Sequence, residues 1–110
     1  MLELGITQSV VAVCVERAGR SRVMRVTLEM GKLAAAIPEA VRFCFGLCAA
    51  GTSVEGAKLE IIEVPGRAVC RECQAEVRLD EPFGRCGRCG GEDLELISGR
   101  ELRLRELQVE

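Results

Sequence analysis

With 110 residues, seven of them cysteine and none histidine, the chain has room for one main core plus a small metal-stapled module, and two full-sized domains are excluded. The lack of histidine removes the commonest general base, any His-paired nucleophile and any imidazole metal ligand, so metal chemistry must run through thiolates, carboxylates or backbone. Fifteen Lys and Arg against 17 Asp and Glu leave a net charge of −2, with no Trp or Tyr to stack on bases, so nucleic acid is not an expected partner.

Residues Ile6 to Ala18 read as a helix, with Ile6, Val10, Val13 and Cys14 on the apolar face and Gly19 placed to end it. Arg22 to Met30 alternates, Met24, Val26, Leu28 and Met30 facing one way, as a half-buried strand does. Gly31 to Ala36 is a connector. A second helix starts at Pro38, whose ring suits the first turn, and at Glu39, whose carboxylate suits the helix dipole. Val41, Cys44, Phe45 and Cys48 form its apolar stripe, and Gly51 closes it. Leu59 to Val64 is a second strand, ended by Pro65 and Gly66. The closing stretch, Arg100 to Val109, alternates again, but Leu102 and Leu104 are out of phase with Leu107 and Val109. A β-bulge at Arg105 and Glu106 would produce that slip.

Between the last two strands lies a segment with four cysteines and little hydrophobic mass, which cannot bury a core of its own and needs a staple. Cys70-x2-Cys73 and Cys86-x2-Cys89 are 12 residues apart, enough to wrap two thiolate pairs round one tetrahedral ion. A closed site of four sulfurs suits structural Zn(II). An iron–sulfur or rubredoxin-like iron site and a redox dithiol pair are the other readings. From Cys70 to Cys89 four arginines face four carboxylates, a neutral balance unlike that of a nucleic-acid-binding ribbon. Cys14, Cys44 and Cys48 fall on apolar stripes and read as small core residues. With no open metal position, no nucleophile–base pair and no phosphate loop, an enzyme is not expected. The N-terminus carries no secretory signal pattern, and the longest apolar run, Val10 to Val15, is far short of a membrane span. An odd number of cysteines without an export route points to a reducing, cytoplasmic setting.

The order of these features resembles a known family. The start Met1-Leu2-Glu3-Leu4-Gly5-Ile6-Thr7-Gln8-Ser9-Val10 is similar to the N-terminus of the HypA/HybF hydrogenase-maturation nickel metallochaperones. So are Leu28-Glu29-Met30-Gly31-Lys32-Leu33, Pro38-Glu39-Ala40-Val41-Arg42-Phe43-Cys44-Phe45, Gly51-Thr52, Glu55-Gly56-Ala57, Glu63-Val64-Pro65, the paired CxxC motifs and Glu101-Leu102. The resemblance runs collinearly over essentially the whole chain.

It implies an α/β (α+β) protein, two helices on a mixed three-stranded sheet with an inserted four-cysteine zinc ribbon. Residues 1–66 plus 98–110 would form a nickel-binding-type domain, and residues 67–97 a zinc module held by Cys70, Cys73, Cys86 and Cys89. The implied function is transient carriage of Ni(II) to [NiFe]-hydrogenase, and in some organisms to urease. The implied partners are a nickel-handling maturation GTPase, the hydrogenase large subunit and a urease accessory protein. In the family nickel is held at the extreme N-terminus, by the amine of residue 1, the backbone nitrogens of residues 2 and 3 and an imidazole from residue 2. Here residue 2 is Leu2, so Met1, Leu2 and Glu3 offer the amine, two amide nitrogens and the Glu3 carboxylate. Weaker nickel binding is the expectation. The chain then reads as a substituted nickel chaperone, as a relative keeping only the scaffold role, or as one using another nickel site. A zinc-ribbon adaptor that binds a protein partner without handling nickel is the alternative.

Overall fold

The computed structural model describes residues 2–34, 36–80 and 84–110, and of Leu2 the backbone alone. Its elements are α1 (Leu2–Ala18), β1 (Val23–Gly31), α2 (Pro38–Ala49), β2 (Lys58–Val64), β3 (Gly66–Cys70), β4 (Glu76–Leu79), β5 (Leu94–Ser98) and β6 (Leu102–Val109). They form two three-stranded sheets, ordered β2-β1-β6 and β4-β3-β5. The chain divides into two compact units, one of Met1–Glu29, Ala36–Ile62 and Arg103–Glu110, the other of Met30–Ala35 and Glu63–Leu102.

The first unit holds both helices, and the first sheet is mixed. The bonds Gly31 N–H to Glu101 O (2.7 Å) and Glu110 N–H to Arg22 O (2.9 Å) place β6 antiparallel to β1. β2 follows β1 through α2, the helical crossover that a parallel neighbour requires. Helices α1 and α2 pack on each other. Val26 and Leu28 of β1, Cys14 of α1 and Val41 of α2 are all fully buried. Each such aliphatic side chain contributes about 1.5–3 kcal/mol by leaving water.

The helices end where expected. Gly19 (φ +59°) takes the left-handed position after α1, its N–H bonded to Val15 O at 3.2 Å. Gly51 (φ +78°) does the same beyond α2. The buried face of α1 is not the one that apolar spacing picks out. Thr7, Val11, Cys14 and Ala18 are buried, whereas Val13 is exposed. Apolar residues surround most of α1, so hydropathy alone did not orient it. Thr7 can go inside because its hydroxyl donates to the carbonyls of Glu3 (2.7 Å) and Leu4 (3.0 Å). In β1, similarly, Val23 is buried and Met24 exposed. Along β6, Leu102, Leu104 and Leu107 are half-buried while Arg105 and Glu106 are both exposed, the phase slip that the leucine spacing indicated.

The second unit contains strands that the sequence pattern did not reveal. β3 pairs antiparallel with β4 (Ala68 opposite Val77) and with β5 (Cys70 opposite Leu94). A register shift between Arg67 and Ala68 skips Ile97, whose side chain is exposed. That is a bulge, in β5. Three strands with one apolar face are the smallest sheet that can persist on its own.

Candidate metal centre

The four cysteines are presented by two turns of the same construction. In the first, the Cys70 N–H donates to Ala75 O (2.9 Å) and the Gln74 N–H donates back to Cys70 O (2.8 Å). In the second, the Cys86 N–H donates to Gly91 O (2.8 Å) and the Gly90 N–H to Cys86 O (2.8 Å). Both turns need a left-handed residue four places after the first cysteine, and Gly90 (φ +76°) supplies it freely. Gln74 (φ +64°) adopts the same conformation at a cost of about 1–2 kcal/mol. Its side-chain amide donates to Arg71 O (2.9 Å), which holds the turn closed.

The sulfurs of Cys70, Cys73, Cys86 and Cys89 all lie within 4.8 Å of one another. Cys70 to Cys89 and Cys73 to Cys86 are each 3.6 Å. A tetrahedron of sulfurs at about 2.3 Å from a zinc ion has edges of about 3.8 Å. The donor set therefore fits Zn(II), closed on all four sides. Among the described residues no other group of three or more Cys, Asp or Glu converges in this way. Cys70 and Cys86 are buried, whereas Cys73 and Cys89 are exposed. One sulfur of each turn faces the module and the other faces water.

Backbone donors bias the sulfurs unequally. The N–H groups of Cys89 and Arg88 hold the Cys86 thiol down at about 6, the latter bond measuring 3.4 Å. The Gly91 N–H (3.4 Å) lowers the Cys89 thiol, but the sulfur of Cys70 and partial desolvation outweigh it and push that thiol up to about 12. Cys73 is lowered by the Ala75 N–H, yet desolvation and the Cys86 sulfur leave it raised overall.

Zinc takes four thiolates, so each protonated thiol yields a proton on loading. The folded arrangement lowers the Cys86 thiol and raises those of Cys73 and Cys89. Falling pH opposes zinc, because protons compete for the same four sulfurs. Calorimetry in buffers of different ionisation enthalpy should find protons released on zinc loading near pH ~7, with zinc affinity falling as the pH is lowered toward about 5. Zinc loading without proton release would contradict a thiolate site.

Three arginines of the module are paired with carboxylates. Arg85 pairs with Glu92 (2.8 Å), Arg67 with Glu76 (2.6 Å), and Arg71 with both Asp93 (3.3 Å) and Glu95 (3.6 Å). All are exposed pairs, each contributing about 0–1 kcal/mol. Glu81 lies outside the described residues.

Of the three residues expected to take nickel, Met1 lies outside the described residues, and Leu2 is the first residue of α1. The Glu3 carboxylate accepts the Ile37 N–H at 3.1 Å. Ile37 precedes α2 and has no side-chain cap of its own, so Glu3 places a negative charge at the positive end of that helix. Nothing in the Met-x-Glu pattern signals this contact, because its partner is 34 residues away.

None of the seven cysteines is disulfide-bonded. Burial pushes the Cys14 thiol up, with Arg17 only partly offsetting it, as suits a packing residue. Cys44 is buried in α2, and the half-buried Cys48 lies 3.7 Å from the Thr7 hydroxyl.

The chain is similar to known proteins along its whole length. The family model described as "Hydrogenase/urease nickel incorporation, metallochaperone, hypA" matches residues 1–109. The hydrogenase maturation factor HypA of a Nostoc species is 56% identical over 110 residues, covering 100% of this chain and 96% of that one. The Geobacter metallireducens factor of the same name is 46% identical, with 100% of both chains covered. The solution structure of the Ni metallochaperone HypA from Helicobacter pylori superposes with a TM-score of 0.69 at 22% identity, covering 97% of this chain and 96% of that one. At that identity the likeness speaks for the fold.

Proposed function

The chain belongs to the HypA family of hydrogenase/urease nickel-incorporation metallochaperones, and from that premise we propose that it carries Ni(II) during hydrogenase maturation while a structural zinc ion holds its four-cysteine module together. It is a maturation factor, not an enzyme. The observation that carries the reading is the match over residues 1–109, which includes the N-terminal segment as well as the cysteine turns. The zinc ligands are Cys70, Cys73, Cys86 and Cys89. When bound, zinc supplies cross-linking and no open position for a substrate. These cysteines anchor the turns, and their backbone N–H donors stabilise the thiolate charge.

Nickel, the cargo, would be taken at Met1 to Glu3. Tetragonal nitrogen coordination favours Ni(II) over Zn(II), but without an imidazole at position 2 the amide nitrogens lack an anchoring ligand. The Glu3 carboxylate can join only by releasing the Ile37 N–H. The recipients would be the [NiFe]-hydrogenase large subunit and, through a urease accessory protein, urease, with a maturation GTPase as working partner. Supporting a protein partner, α2 turns Phe43 (70% exposed) and Leu47 (59% exposed) outward one helical turn apart. No helix among the described residues is long and apolar enough to cross a membrane, and the uncrosslinked thiols suit the cytoplasm. An adaptor that handles no nickel is less favoured, because the matched family is defined by nickel incorporation.

Calorimetric titration of Ni(II) into the zinc-loaded chain and into Leu2→His tests the nickel reading. The wild type should bind weakly. Leu2→His should bind about one nickel per chain, tighter by about tenfold or more, some 1.4 kcal/mol. A variant no tighter than wild type would show that the N-terminal mode is wrong for this protein.

A further inference from the structure

The apolar face of the β4-β3-β5 sheet is covered by a residue from far outside the cysteine segment. Leu33, only 4% exposed, forms one cluster with Ala68 of β3 and Leu79 of β4, and Val77, Leu94 and Leu96 pack against it. Its own backbone is built into the module as well. The N–H groups of Gly31, Lys32 and Leu33 donate in succession to the carbonyls of Glu101 (2.7 Å), Val64 (2.8 Å) and Gly99 (2.7 Å).

Two glycines form the slot. A Cβ on Gly66 would lie 2.7 Å from Leu33 Cγ and overlap the Leu79 carbonyl, and one on Gly99 (φ +114°) would lie 2.6 Å from Gly66 Cα and 3.0 Å from Leu33 Cδ1. A side chain at either position would clash first with backbone, the Leu79 carbonyl or the Gly66 Cα, and would crowd the leucine. Ala68 shares a sheet face with Cys70 two residues on, and Leu94 pairs with Cys70 across the ladder. Leu33 thus sits beneath the strand that presents the first zinc ligand.

We propose that residues 30–34 are a strap belonging to the zinc module, and that Leu33 is a positioning residue for the thiolates. The inference rests on the zinc reading given above. A sheet this small gains stability from two sources, the metal and the cover on its apolar face, and each favours the conformation the other needs. Zinc affinity therefore includes a contribution from Leu33, and zinc occupancy sets how firmly the strap is held.

The test uses the full chain, with zinc affinity measured by competition with a chromophoric chelator and site geometry read from the visible absorption of the Co(II)-substituted protein. Leu33→Ala should weaken zinc about tenfold or more and broaden the Co(II) bands, whereas Leu33→Met should stay within about threefold of wild type. In the wild type, chelating zinc should accelerate hydrogen exchange at the Lys32 and Leu33 amides about a hundredfold, a measurement that holds even should Leu33→Ala fail to fold. Zinc affinity and Co(II) spectrum unchanged in Leu33→Ala, or strap amides indifferent to zinc, would overturn the proposal while the zinc site stands. A wild-type chain that takes up no zinc overturns the metal reading and this inference together.

Discussion

Cys86→Ala should lose stoichiometric zinc and unfold the β4-β3-β5 sheet. Its sulfur is a buried corner of the cluster, and its turn is held by its N–H to Gly91 O and by its carbonyl from the Gly90 N–H. Three thiolates would leave the ion open to water and the cluster incomplete. Structural zinc sites of this kind contribute about 10–16 kcal/mol of apparent binding energy that is also folding energy. The module's buried apolar cluster, Leu33, Ala68 and Leu79, is far too small to replace that. Metal analysis should return less than about a tenth of a zinc per chain, and amide signals from β3, β4 and β5 should collapse to unfolded positions. Helical circular dichroism from α1 and α2 should persist. Retention of one tightly bound zinc would contradict the four-thiolate assignment.

The second large effect belongs to the other unit. Leu28 is fully buried in β1, the central strand of its sheet. Leu28→Ala removes three side-chain carbons, a methine and two methyls, and leaves a cavity, at a cost of about 3–5 kcal/mol, a large share of the roughly 5–15 kcal/mol that holds a domain of this size. Urea denaturation of the zinc-loaded protein, followed by helical circular dichroism, should show the midpoint fall accordingly while zinc content stays at that of wild type. A loss below about 1 kcal/mol would mean that the core is not organised around this strand.

What could be read from residue order was whatever depends on neighbours in the chain. Pro38 and Glu39 open α2 and Gly51 follows it, because helix ends are governed by local backbone geometry. The cysteine pairs were legible because a CxxC turn brings its own two sulfurs together whatever the rest of the protein does. Orientation was harder. The buried face of α1 depends on Thr7, a polar residue made buriable by bonds to its own helix. Strands β3 (GRAVC) and β5 (LELIS) were hidden because five-residue segments with only one or two polar residues carry too short an alternation to be recognised.

The cysteine count and the missing histidine thus settle the chemistry available to this protein, four sulfurs for a soft tetrahedral ion and no imidazole for nickel, because ligand identity is written covalently. They do not say what completes the site. That Leu33 covers the zinc module from more than 30 residues away, and that Glu3 caps the helix starting at Pro38, follows from long-range closure. Bringing such distant segments together costs loop entropy that local pattern does not register, and it is recovered only when the whole set of buried contacts forms at once.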